Sequence, residues 1–274
     1  MILDGKKLAS KIYTDLTEKI KSLEQKPTLG AVLVWDNAAS LRYIRQKQKF
    51  SEKIGMNFKL FQFEESISEE ELLQEIKALN NDSDISGYIV QLPLPDHINP
   101  LQIIQNIEPR KDVDGFHPEN QGKVMIGDNS GFTPCTPAWV MQIFKEYNIS
   151  LESKKIVVLG RSNIVGKPLT MLCINAGATV ISCNSKTPDI SLYTRSADIV
   201  ICATGQSHIL KAQMVSDTCV IIDVGFSVID DTVYGDADTQ KFIDRWNSIT
   251  PVPGWVWPMT VAMLLSNTYK AHIS

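Results

Sequence analysis

Apolar residues recur along the chain at two periods, and the change of period marks out its elements. From residue 4 to 24, Leu8, Ile12, Leu16 and Ile20 return every four positions among polar neighbours, the pattern of an amphipathic helix. Residues 29–34 are an unbroken apolar run, read as a buried strand. The turn at 36–40 supplies capping residues for a helix from about Ser40 to Ile54. Residues 58–63 read as a second strand, and Ser68 with Glu71 has the spacing of a capping box that opens another helix. The β-rich run 85–90 stops at Pro93 and Pro95, which puts Gln91 at the carboxyl end of a strand.

A loop at 132–137 leads into a long helix ending near Tyr147, and a domain boundary is expected there. Beyond it, strands at 156–159, 179–183, 199–203 and 219–224 alternate with mostly helical patterns, as in a doubly wound parallel sheet. A last helix is expected over 261–269. The fold class is therefore α/β.

Composition narrows the function without choosing it. The 274 residues suffice for two domains, and 43% hydrophobic content supplies their cores. A net charge of -4 argues against nucleic-acid or membrane-surface partners. No run approaches the roughly 18 apolar residues of a membrane span, and the opening residues lack a signal-peptide layout, so a cytoplasmic location is expected. Five scattered cysteines without a C-x-x-C pair point to buried reduced thiols rather than disulfides or zinc.

Residues 157–169 are the first candidate for chemistry. An apolar run enters a turn at Gly160 and leaves it as a helical pattern near Gly166, an arrangement that presents free backbone N–H groups to a phosphate. Gly160 permits a tight turn and Gly166 a close helix–sheet approach. The spacing differs from G-x-G-x-x-G and fits an ordinary strand-to-helix turn equally well. Arg161 tilts the reading toward a 2′-phosphate and hence NADP, with Lys186 a second candidate for that phosphate. Small and polar residues at 184–187, 204–206 and 223–226 lie where a dinucleotide would run.

In the first half, Ser40, Tyr43 and Lys47 share one helix face. A lysine in a partly apolar cleft can act as acid or base near neutral pH, but spacing alone favours a solvated basic face with Arg42, Arg45 and Lys49. Gln91 can hold a carbonyl or water at the strand end, or cap the turn. Asp112 and Asp114 alternate about Val113, so in extended chain both project to one side. One can then pair with Lys111 while the other meets a ligand's N–H groups. Two aspartates and His117 alone make a weak metal site, and no metal is expected.

Taken together, the motifs resemble a known family. In order they are Ser40-x-x-Tyr43-x-x-x-Lys47, Val90-Gln91-Leu92-Pro93-Leu94-Pro95, Lys111-Asp112-Val113-Asp114-Gly115-Phe116 and Pro134-Cys135-Thr136-Pro137. They continue with residues 160–168, Asp223-Val224-Gly225, Gly235-Asp236 and Thr250-Pro251-Val252-Pro253-Gly254. This series is similar, over nearly the whole chain, to the bifunctional methylenetetrahydrofolate dehydrogenase/methenyltetrahydrofolate cyclohydrolases, the FolD family.

The resemblance implies two α/β domains flanking a cleft. Residues 1–138 would be a folate-binding catalytic domain, joined by a C-terminal helix over about 259–274, and residues 139–258 a Rossmann-like NADP-binding domain. It implies that Lys47 is the catalytic group of the cyclohydrolase step, that Tyr43 packs on the folate, that Gln91 tunes Lys47, and that Asp114 accepts from the pterin. Pro253 and Gly254 would border the substrate. Gly160, Arg161 and Ser162 would bind NADP, with Lys186 and Phe226 as further cofactor contacts. The implied protein is a homodimer serving one-carbon metabolism and purine biosynthesis.

The chain departs from the family pattern at Asn184, where His is usual, at Ala38, where Pro is frequent, and at its tryptophans. Trp35, Trp139, Trp255 and Trp257 stand where the family has glycine, and Trp246 lies in a variable stretch. Glycines in such loops serve positive φ or close approach to ligand. One explanation covers all four: the gene reads UGA as glycine, and the written tryptophans are glycines in the cell. The alternative is a catalytically impaired folate- or nucleotide-binding protein whose site is filled by Trp255 and Trp257.

Overall fold

The computed structural model describes residues 1–35, 38–230, 232–253 and 256–274, and leaves undescribed the side chains of 38, 39, 256 and 257. Gly254 and Trp255, and the side chain of Trp257, therefore lie outside the described residues.

The chain divides into two compact units, each assembled from separated segments. The three-stranded unit comprises Ser10–Lys123, Asn129–Thr133 and Val261–Ser274. The five-stranded unit comprises Met1–Ala9, Val124–Asp128 and Pro134–Thr260.

In chain order the elements up to the middle are α1 (Gly5–Lys21), β1 (Thr28–Val34), α2 (Ala38–Lys53), β2 (Asn57–Phe63), α3 (Glu69–Asn81), β3 (Gly87–Val90), α4 (Pro100–Gln105), α5 (Pro118–Ile126) and α6 (Cys135–Glu146). β1 lies between β2 and β3, parallel to both. Leu29 to Val34 are buried on both faces of β1, which is why the sequence shows a continuous apolar run there rather than an alternation. Val32, Leu72, Ile76, Tyr88 and Ile103 belong to the core on one side, each such side chain contributing about 1.5–3 kcal/mol on burial. The capping box forms as its spacing predicts: Ser68 Oγ accepts from the Glu71 N–H, and Glu71 accepts from the Ser68 N–H.

The remaining elements are β4 (Lys155–Leu159), α7 (Gly166–Asn175), β5 (Thr179–Cys183), α8 (Ser191–Thr194), β6 (Ile199–Cys202), a 3-10 turn at Ala212–Met214, β7 (Val220–Asp223), β8 (Ser227–Ile229), β9 (Thr232–Tyr234), α9 (Thr239–Asp244), β10 (Ser248–Ile249) and α10 (Val256–Ile273). Five strands form one parallel sheet in the order β10-β7-β6-β4-β5. The order reverses between β4 and β6, the position at which doubly wound sheets open a crevice for ligand. Ile2 and Leu3 pair with Ile249 and cover the β10 edge.

Two details differ from expectation. The last helix begins five residues earlier and runs four residues further than the pattern over 261–269 predicts, because no Gly or Pro follows Tyr269 to stop it before Ile273. The one-turn helices α4, α8 and α9, the β8–β9 hairpin and the two-residue β10 are too short to carry a period. All five cysteines are buried and none forms a disulfide, and burial pushes the Cys173 thiol up to about 12. Among the described residues no helix is long and apolar enough to cross a membrane.

Candidate active site

In the three-stranded unit, α2 carries Ser40, Tyr43 and Lys47 on one face. Lys47 is only 8% exposed, whereas Arg42, Arg45 and Lys49 are exposed. The solvated basic face thus exists but excludes Lys47. Its ammonium donates to Gln91 Oε1 at 2.9 Å, while Gln91 Nε2 donates to the Leu92 carbonyl at 2.8 Å. The second bond fixes which way the amide faces, so an acceptor oxygen is held toward the lysine. Gln91 itself is anchored just past β3, its N–H donating to the Val32 carbonyl at 2.9 Å. Tyr43, one turn before Lys47, is half-buried.

Asp114 follows a segment that runs beside β3. Residues 111–113 run beside β3: the Tyr88 N–H donates to the Lys111 carbonyl, and Tyr88 pairs with Asp112 in parallel. Gly87 makes this possible, because a Cβ there would collide with Val113. Gly115, at φ 74, closes a turn in which its N–H donates to the Asp112 carbonyl.

The expected pairing of Lys111 with a neighbouring aspartate does not form. Lys111 Nζ donates instead to the Leu79 and Asp82 carbonyls at the end of α3. Asp112 is 1% exposed and accepts from the Phe116 and His117 N–H groups and from Asn120 Nδ2 at 2.8 Å. Asp112 is therefore the keystone of the turn, its pKa raised by burial against the pull of those donors. The extended chain that alternation assumes is absent here, because residues 112–115 form a turn.

In the five-stranded unit a cavity of about 830 Å³ opens at the β4–β6 reversal, lined by Gly160, Arg161, Ser162, Asn184, Thr204 and Gln206 among others. Gly160 adopts φ 105, and a Cβ there would collide with the Ala203 carbonyl. A Cβ on Gly166 would collide with the Gly160 carbonyl. Both glycines are thus needed for the close approach of turn, helix and sheet. Ser162 Oγ accepts from the Val165 N–H, which shapes the turn leading into α7. Lys186 is exposed on the loop after β5 and is not among the lining residues. Phe226, half-buried after β7, is not among them either, and Pro253 is exposed.

One feature of this site has no signal in the sequence beyond the Gly235-Asp236 motif. Asp236 is fully buried, and its Oδ2 accepts from the Thr204 N–H at 2.6 Å, the Thr204 hydroxyl at 2.7 Å and the Gly205 N–H at 3.3 Å. Asp223, also buried, accepts from the Gly225 and Ala237 N–H groups. Burial raises the pKa of both carboxyls.

Comparison with known proteins shows the family. Residues 3–114 match the family model for the tetrahydrofolate dehydrogenase/cyclohydrolase catalytic domain, and residues 134–274 that for its NAD(P)-binding domain. The chain is 47% identical over 272 residues to the bifunctional protein FolD of Hydrogenobaculum sp. (strain Y04AAS1), covering 99% of this chain and 98% of that protein. It resembles the crystal structure of the bifunctional FolD dehydrogenase/cyclohydrolase from Campylobacter jejuni, with a TM-score of 0.97 and 45% identity over 100% of this chain and 98% of the other. It also resembles the Trypanosoma brucei FolD structure complexed with NADP and inhibitor, with a TM-score of 0.94 and 32% identity over 100% and 97% of the two chains.

Proposed function

The chain belongs to the tetrahydrofolate dehydrogenase/cyclohydrolase family, and we propose that it oxidises 5,10-methylenetetrahydrofolate with NADP+ and hydrolyses the product to 10-formyltetrahydrofolate. The observation that carries this reading is the buried Lys47 held against the Gln91 oxygen just past β3.

The five-stranded unit fits a dinucleotide, because Gly160 and Gly166 let turn, helix and sheet pack closely enough to form a cradle beside the cavity at the β4–β6 reversal. Gly160, Arg161 and Ser162 would hold it, the guanidinium meeting the 2′-phosphate that distinguishes NADP from NAD. NADP+ bound there supplies the hydride acceptor for the methylene carbon. Lys186 and Phe226 are proposed as outer contacts of the same ligand.

Every other step falls to the chain's own residues. Asp114, an acceptor-only group when ionised, receives hydrogen bonds from the donor edge of the pterin. Tyr43 packs on the folate and orients it, and Pro253 and Gly254 border the substrate. Once hydride has left, the methenyl carbon is cationic and water adds to it, losing a proton. One carbon–nitrogen bond then breaks as the added hydroxyl gives up its proton to become the formyl oxygen, and the departing nitrogen takes up a proton. Lys47 is the proton carrier for both events, with Gln91 setting the direction of its N–H groups. Water and the methenyl cation thus yield the formyl product and one released proton.

The reading includes a homodimer formed through the five-stranded unit, a cytoplasmic location and a place in one-carbon supply for purine biosynthesis, all supported by the family resemblance. The test is direct. Purified protein given 5,10-methylenetetrahydrofolate and NADP+ forms NADPH, and given the methenyl compound alone forms the 10-formyl product. Absence of both reactions overturns the proposal.

A further inference from the structure

The loop after β6 borders the cavity, the loop after β7 lies behind it, and the Asp236 carboxylate stands between the two. Three donors of the first loop converge on Asp236 Oδ2, and the Gln206 N–H is in turn held by the Thr204 hydroxyl at 3.1 Å. Asp236 Oδ1 has no hydrogen-bond partner and packs where a Cβ of Gly225 would stand, so the second loop closes on the carboxylate only because residue 225 is glycine. Asp223 locks the arrangement by accepting from the Ala237 N–H at 2.8 Å. Asp236 contributes nothing to the cavity wall itself, although Thr204 and Gln206 do.

We propose that Asp236 is a positioning residue for cofactor binding, holding the 204–206 loop in its ligand-ready shape. The proposal rests on the cavity being the NADP site. Asp236→Ala leaves three part-buried donors without their shared acceptor and weakens NADP+ affinity by about tenfold or more, read by calorimetry. Asp236→Asn keeps an oxygen facing those donors and restores most of the affinity. Cyclohydrolase activity on the methenyl compound, supplied without cofactor, stays near the wild-type rate in both variants. Thr204→Val and Asp236→Ala combine less than additively, because both remove the same contact. Unchanged NADP+ affinity in Asp236→Ala overturns the proposal, as does parallel loss of both activities that Asp236→Asn fails to rescue. Failure of the wild-type protein to bind NADP+ at all overturns the assignment of the cavity instead.

A separate observation concerns the backbone. Four helices end in the same two-bond motif, in which the second residue past the helix takes a left-handed conformation. Gly55 after α2 (φ 81), Asn148 after α6 (φ 53), Gly177 after α7 (φ 82) and Trp246 after α9 (φ 64) occupy that position. Each donates to the carbonyl three residues back: Gly55 to Glu52, Asn148 to Lys145, Gly177 to Ile174 and Trp246 to Ile243. The following N–H closes the outer bond in each case: Met56 to Ser51, Ile149 to Phe144, Ala178 to Cys173 and Asn247 to Phe242. Glycine is the usual occupant, and asparagine the usual alternative. Tryptophan gains nothing that offsets its cost there, since Trp246 is 88% exposed. Trp35 repeats the anomaly at φ 69 with 39% exposure, and the buried indole N–H of Trp139 has no partner.

We infer that residues 246 and 35 are glycine in the protein its own cells make, the UGA codon being read as glycine, and that residue 139 follows the same rule. Peptide mass spectrometry of the native protein, with the gene's codons read alongside, decides it. Glycine masses at 35, 139 and 246 with UGA codons support the inference. A tryptophan mass or a UGG codon at 246 overturns it.

Discussion

Lys47 on α2 and Gln91 beyond β3 stand 2.9 Å apart, Nζ to Oε1, joining a helix and a sheet edge through one charge-assisted hydrogen bond. Because the Gln91 amide is also tied to the Leu92 carbonyl, this contact has one orientation, and the lysine's remaining N–H groups are directed elsewhere. Lys47→Gln is expected to lower cyclohydrolase turnover by roughly 10²–10⁴-fold while leaving some NADP-dependent oxidation. Assays of both reactions on one preparation check it, and equal loss of the two would contradict the assigned role.

Gly160→Ala places a methyl group against the Ala203 carbonyl in a backbone conformation that side chains avoid. The expected cost is about 1–3 kcal/mol of stability, together with weaker NADP+ binding. Thermal melts and calorimetry test it, and an alanine variant with native affinity would refute the cradle.

Gly87→Ala drives a Cβ into Val113 and pushes the 111–114 segment off β3. Overpacking of this kind costs about 1–3 kcal/mol, and the displaced Asp114 should raise KM for folate while the Kd for NADP+ is unchanged. Steady-state kinetics with each ligand varied in turn separates the two effects.

Burial raises the Asp223 pKa above its ordinary value of 3.8, so the folded state holds this proton more tightly than the unfolded one. Its contribution to stability is therefore fully present below the unfolded pKa and is lost as pH rises through the folded one. Asp223→Asn removes the titration. The stability advantage of wild type over this variant should shrink as pH rises from about 4 toward neutrality, read from denaturant midpoints at each pH. An advantage that grows over that range would reverse the sign.

Long periodic elements were legible in the sequence because their physics is local. Ser68 and Glu71 cap α3 as their spacing predicts, and the apolar run at β1 is buried throughout. Asp112 and Asp114 were legible as a pair but not in their division of labour. That depends on Gly115 turning the chain and on Asn120 arriving from α5 to hold Asp112. The burial of Lys47 beside exposed Arg45 and Lys49 could not be read either, since all three lie within one basic stretch and only tertiary packing tells them apart. Asp236 was hidden for a similar reason: its partner Thr204 lies 32 residues away.

The segmented make-up of the two units has a consequence for synthesis. The five-stranded unit ends at Thr260, whereas the three-stranded unit includes Val261–Ser274. A ribosome moving along the message therefore completes the five-stranded unit first, although most of that unit follows residue 133. The unit carrying Lys47 waits for the last residues of the chain, and a transcript cut short near its end would spare the nucleotide-handling half while leaving the lysine's own half unfinished.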